Sequence, residues 1–183
     1  MKSPALLVVL ALCGCVEDGG LLAGEGLSEV GFHLSGPDMG VYPDTSVLED
    51  EHNPFAGCDI GETTKWEIQS GSSPVVAFFA WATLTARRPT GEHQYYAAAN
   101  LKAIYTGKLA GPDELAVARE LAIRGFQAVL DHFPESLTYD ASGTIAYDLA
   151  TWAYLGIVEL GGEVSGGWVL VETADGGKRA IKP

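Results

Sequence analysis

Three cysteines, Cys13, Cys15 and Cys58, and four histidines, His33, His52, His93 and His132, are the residues of this 183-residue chain best suited to chemistry. A thiol beside an imidazole is an activated nucleophile, which makes Cys58 with His93 or His132 the one Cys/His pairing to carry forward. Nothing in the sequence sets either histidine next to Cys58. A zinc site needs closely spaced His or Cys ligands, and the four histidines stand far apart with no two-His pair at helical spacing. His93 and His132 are therefore expected on helix surfaces. Neither a G-x-S-x-G elbow nor an S-x-x-K motif supplies a serine nucleophile. Asp131, Asp140 and Asp148 are candidate acid/base carboxylates of unfixed separation. Glu49-Asp50-Glu51-His52 offers adjacent ligands to a cation, whereas EF-hand ligands alternate around an obligatory Gly, and a solvated acidic run fits better. Gly24-Glu25-Gly26 has no strand before it and no helix after it, as a phosphate loop requires. Trp81, Tyr95, Tyr96, Trp152 and Tyr154 would suit a glycan groove, although their spacing makes core packing the first expectation. No catalytic, cofactor-binding or metal-binding residue is assigned on these grounds.

Cys15 stands apart because of what precedes it. Met1-Lys2 gives a basic start, Ala5 to Leu12 a short apolar core, and Leu12-Cys13-Gly14-Cys15 follows. This is the build of a secretory signal peptide. A membrane span takes about 20 apolar residues, and Gly14 and Glu17-Asp18 interrupt this run far sooner. The segment resembles a bacterial lipoprotein signal with its lipobox, with Leu12 and Gly14 at the recognition positions and Cys13 where Ala or Ser is commoner. The resemblance implies removal of residues 1–14 and lipidation of Cys15, which would hold the chain to a lipid bilayer. Each buried methylene contributes about 0.8 kcal/mol, so several acyl chains anchor durably. Under the enteric sorting rule, Asp after the lipidated Cys retains a lipoprotein in the inner membrane; Val16 here implies the outer membrane.

Loss of residues 1–14 removes one of 11 basic residues and none of 24 acidic ones, moving the net charge from −13 to −14. Such a charge argues against a nucleic-acid partner or a broad basic patch. With Cys13 removed and Cys15 acylated, Cys58 has no partner for an internal disulfide. It is then a buried small hydrophobe, as free cysteines commonly are, or else a reactive thiol or an intermolecular partner. From Val16 to Thr64 there are eleven acidic residues, nine Gly and no Lys or Arg. A one-signed segment this poor in large apolar residues does not offset its ordering entropy. Residues 15–62 are therefore expected to form an extended acidic tether ahead of a domain at 63–183.

That domain reads as mainly α, with about four helices and a C-terminal β-hairpin. Ser73 as N-cap and Pro74 at the first helical position open one helix, which runs to Arg87-Arg88 before Pro89. A second spans Glu92 to Thr106, with Tyr95, Tyr96, Ala99, Ala103 and Ile104 as its expected buried side. A third runs from Pro112 towards Pro134, with Leu115, Ala118, Ala122, Phe126, Val129 and Phe133 at core spacing. A fourth is expected over about Ala141 to Leu160, carrying Ile145, Leu149, Trp152, Leu155 and Val158. Gly167 to Glu172 and Lys178 to Lys182, around Asp175-Gly176-Gly177, form the hairpin. Thr63 to Ile68, where Trp66 and Ile68 alternate, is its candidate third strand.

The helices resemble tetratricopeptide repeats in part. Ala122, Phe126, Val129 and Pro134 stand at the second-helix spacings, and Trp152, Leu155 and Gly156 match the W-x-x-L-G opening of a first helix. The helix before Ala122 lacks that opening, and no second helix follows Gly156. The resemblance implies a protein-binding surface on stacked helices. The expected protein is a lipid-anchored, non-catalytic binding or scaffold module of the cell envelope. Its expected partners are other envelope proteins first, and cell-wall or surface polysaccharide second. The alternatives are a small envelope enzyme using Cys58 and a glycan- or small-ligand-binding lipoprotein.

Overall fold

Ser73, Thr90 and Asp148 each close a stretch of extended backbone and start a helix by accepting a backbone N–H, from Val76, His93 and Ala150 respectively. These caps satisfy donors that a helix start otherwise leaves unpaired. The computed structural model describes residues 45–50, 52–57, 59–140 and 142–183, with the backbone alone at 62–65. The signal segment, Cys15 and Cys58 lie outside the described residues. After a short 3-10 turn at Ser46–Leu48 come α1 (Glu62–Gly71), α2 (Pro74–Arg87), α3 (Gly91–Gly107) and α4 (Pro112–His132). A hairpin of β1 (Leu137–Tyr139) and β2 (Ala146–Asp148), α5 (Leu149–Glu159) and a hairpin of β3 (Val169–Glu172) and β4 (Lys178–Ile181) complete the chain. The mainly helical class and the terminal hairpin agree with the sequence reading.

Each helix packs on its predecessor, and α5 also returns to touch α3, so α3 is in contact with α2, α4 and α5. The core between them is built from Phe79, Trp81, Leu84, Ile104, Phe126, Val129, Leu149 and Ile157, each at most 2 % exposed. At the α4–α5 crossing, a Cβ on Gly156 would stand 2.6 Å from the Phe126 ring. Only a bare backbone lets the two helices approach that closely. Phe126 and Gly156, two of the residues that carried the repeat resemblance, therefore meet in one tight contact.

Four expectations are corrected. Thr63 to Ile68 is helical and lies within α1, so the terminal hairpin is a two-stranded sheet. Instead of pairing with a third strand, β4 docks on α5, where the Ala180 N–H donates to Thr151 Oγ1 at 2.8 Å. The fourth helix begins at Leu149, because residues 137–148 form a hairpin of their own. Gly143 at φ 71° turns the chain there, and the Asp140 carboxylate accepts N–H groups from Thr144 and Ile145. These bonds favour a turn over helix. The acidic segment, expected to be extended as far as 62, is packed on the domain over its described part. Val47, Asn53, Phe55 and Ile60 are buried; Asn53 Nδ2 donates to Val47 O and Thr83 Oγ1, and Arg88 Nη2 to Ile60 O. The fourth correction concerns the buried side of α3.

Candidate functional site

The interior of α3 is polar. Its buried positions include His93, Gln94 and Asn100 beside Ala97, Ala98, Leu101 and Ile104, while Tyr95, Tyr96, Ala99 and Ala103 are only half-buried. Of the expected buried side, Ile104 is fully buried, whereas Tyr95, Tyr96 and Ala99 pack at the margin of the core. An unpaired buried amide costs about 1–3 kcal/mol, and each of these polar groups has a partner. His93 Nδ1 lies 2.8 Å from Arg88 O. Gln94 Nε2 donates to Gly125 O on α4, and Asn100 Nδ2 to Gln69 Oε1 on α1. Large apolar side chains left at the surface carry more information than buried ones, since hydrophobic sorting explains the latter.

The half-buried tyrosines belong to a continuous aromatic row. Trp66 of α1, which is 40 % exposed, meets Tyr96 edge-on at 5.5 Å between ring centroids. Tyr96 meets Tyr95 at 5.5 Å, Tyr95 meets Trp152 of α5 at 5.8 Å, and Trp152 lies 4.7 Å from Tyr147 of β2. Such pairs contribute about 0.5–1.5 kcal/mol beyond the area they bury, which fixes the rings. Trp81, fully buried, stacks under Tyr96 at 4.8 Å and donates its indole N–H to Gln69 Oε1 at 2.7 Å. In β1–β2, Thr138 faces the same side as Tyr147 and donates to Glu92 Oε1 of α3, which fastens the hairpin to the row.

Charge borders this face. Glu159 of α5 pairs with Lys102 of α3. Burial foremost, followed by the neighbouring Tyr96 and Glu159 charges, pushes the Tyr95 phenol up to about 12. Tyr95 therefore keeps its proton at every physiological pH. Flat rings with a protonated phenol and a bordering carboxylate can stack on a ligand and hydrogen-bond to it.

The other candidate residues are dispersed. His93, expected on a surface, is 4 % exposed and packs 5.9 Å from Trp81; the Arg88 carbonyl is what admits its polar ring to the interior. His132 is exposed, as expected, and His52 lies 3.2 Å from Asp50. Asp131 accepts from Gln127 on α4, while Asp148 caps α5. Asp140 is held down to about 2 by the Ser142 hydroxyl first and by the backbone N–H groups of its own turn. Among the described residues no group of three or more His, Cys, Asp and Glu is placed to hold a metal ion. No helix there is long and apolar enough to cross a membrane. A separate depression of about 320 Å³ lies between α4 and the 161–167 loop, lined by Arg124, Gln127, Asp131, His132, Glu163 and Ser165.

Of the five aromatic residues singled out from the sequence, Tyr95, Tyr96 and Trp152 lie on the face and Trp81 lies beneath it. Tyr154 points elsewhere, because two residues along a helix turn a side chain by roughly 200°. Trp66 and Tyr147 belong to the face and were missed, one assigned to a strand and the other to a helix interior. Placing Trp66 on a helix would have added it. No family model, curated protein or solved structure matches this chain.

Proposed function

We propose that this chain is a bacterial lipoprotein, anchored by acylated Cys15 in the outer membrane, whose helical domain is a non-catalytic protein-binding module of the cell envelope. The observation that carries the binding part is the aromatic row along α3. Amides are partnered inside the domain while two tyrosines join a half-exposed row running from α1 to β2. The repeat resemblance supports it, since stacked helices present such a row along one side. The lipobox residues Leu12, Gly14 and Cys15 support the anchor.

In-cell crosslinking followed by mass spectrometry tests the reading. A tagged full chain should enrich a defined set of envelope proteins over an unrelated tagged lipoprotein, and the pair Trp66→Ala and Tyr96→Ala should lose that set. Enrichment that survives both substitutions would take the function away from this face. The anchor is tested separately. Cys15→Ser should abolish palmitate labelling and detergent-phase partition, and unchanged labelling would remove it.

A further inference from the structure

The proposed binding face has an electrostatic sign, and the inference drawn from it rests on that reading. Residues 65–183 carry 13 acidic against 10 basic residues, so the sign of the face is set locally, by carboxylates that flank the row on three elements. Glu92 stands at the start of α3, where it accepts from Thr138; Asp148 directly follows Tyr147 and pairs with Arg179 of β4; and Glu159 closes α5 as the most exposed of the three. Lys102, the one basic residue of α3, is paired with Glu159. Its side chain is 29 % exposed, whereas the Glu159 side chain is 59 % exposed and open to solvent. Aromatic faces attract cations, and lysine and arginine ligands use both the ring and a nearby carboxylate.

We propose that the face takes an extended peptide segment of a partner protein rich in lysine or arginine. Glu159 receives one of its cations, and Lys102 holds that carboxylate while the face is empty. Lys102 thus mimics the ligand. A basic peptide displaces one ammonium group by another, so removing Lys102 strengthens binding rather than weakening it.

The test uses the purified full chain in detergent and three extended peptides, repeats of lysine-proline, serine-proline and glutamate-proline, with titration calorimetry and tryptophan fluorescence as readouts. Proline keeps all three extended at equal cost. The lysine-proline peptide should bind most tightly and weaken as salt rises. Glu159→Gln should lower its affinity about fivefold, the upper range for an exposed pair. Lys102→Met should raise it by a similar factor, and should have no effect in the Glu159→Gln background. Melting curves confirm that both variants fold. Equal affinity for the three peptides, tighter binding of the glutamate peptide, or an affinity loss on Lys102→Met each overturns the proposal. Equal affinity that is nonetheless abolished by Trp66→Ala leaves the binding face standing without its charge preference. If no peptide binds, the basic-peptide assignment is wrong, and titration with neutral N-acetylglucosamine oligomers then decides whether a glycan occupies the row instead.

Discussion

In α2, Phe78, Phe79 and Trp81 are at most 4 % exposed, whereas in α3 Tyr95 and Tyr96 remain half-buried and the interior goes to alanines, His93, Gln94 and Asn100. The two helices touch along their length and share one aromatic stack, Trp81 under Tyr96. One layer of rings closes the core, and the next presents it to the outside. The difference shows that aromatic content alone does not decide which rings are buried. What decides it here is which residues the neighbouring helix accepts in their place. α3 keeps its tyrosines half-buried because Gln69, Arg88 and Gly125 supply partners for its amides and imidazole.

The sharpest way to break this distinction is to remove one ring from each layer. Trp81→Ala empties a fully buried site and leaves Gln69 without its indole donor; about 3–5 kcal/mol of stability should be lost in urea unfolding. A loss below about 2 kcal/mol would mean that the inner layer is not the core it is taken for.

A second measurement tests how far Tyr95 belongs to the interior. Its phenol titrates near 12 in the fold, against an ordinary value of 10. The native state therefore holds a proton that the unfolded chain releases between those values. This contribution is complete below pH 10 and is lost as the pH rises towards 12. It is worth about 2–3 kcal/mol. Tyr95→Phe should flatten the fall in stability over that window and remove the last tyrosine to ionise in an ultraviolet titration. Loss of ionisation amplitude near pH 10 rather than near 12 would place the ring in solvent.

The smallest expected effect on stability is the most telling for function. Trp66→Ala should cost about 1 kcal/mol, the scale of its edge contacts with Trp81 and Tyr96, while abolishing partner capture. A cost equal to that of Trp81→Ala would make the outer layer structural and end its claim to recognition.

Where local chemistry settles a boundary, the sequence was readable. Ser73-Pro74 starts α2, Pro112 opens α4, and Asp175-Gly176-Gly177 turns the terminal hairpin. Reading failed where distant groups decide. Of the expected buried side of α3, Tyr95, Tyr96, Ala99, Ala103 and Ile104, only Ile104 is fully buried; a window of sequence does not show that His93, Gln94 and Asn100 will find acceptors on other elements. Trp66 and Ile68 alternate as in a strand, yet one turns out and the other inward on a helix. Gly143 falls inside the helix expected from about Ala141, with Asp140 just ahead of it, and the apolar spacing that continues into α5 hides the turn these two residues make. The binding face inherits these errors. Three of its rings were recognised as candidates, but the two that complete the row lay in elements read wrongly.

The bond from the Ala180 N–H to Thr151 has a consequence for assembly. A series of helices, each leaning on the one before, ends in a flank to which a further helix can add, in the same molecule or another. Here β3 and β4 occupy that flank of α5, and a strand amide that would be open to pairing is bonded to a helix hydroxyl instead. The hairpin therefore covers that flank of α5, and a further helix could stack there only by displacing β4.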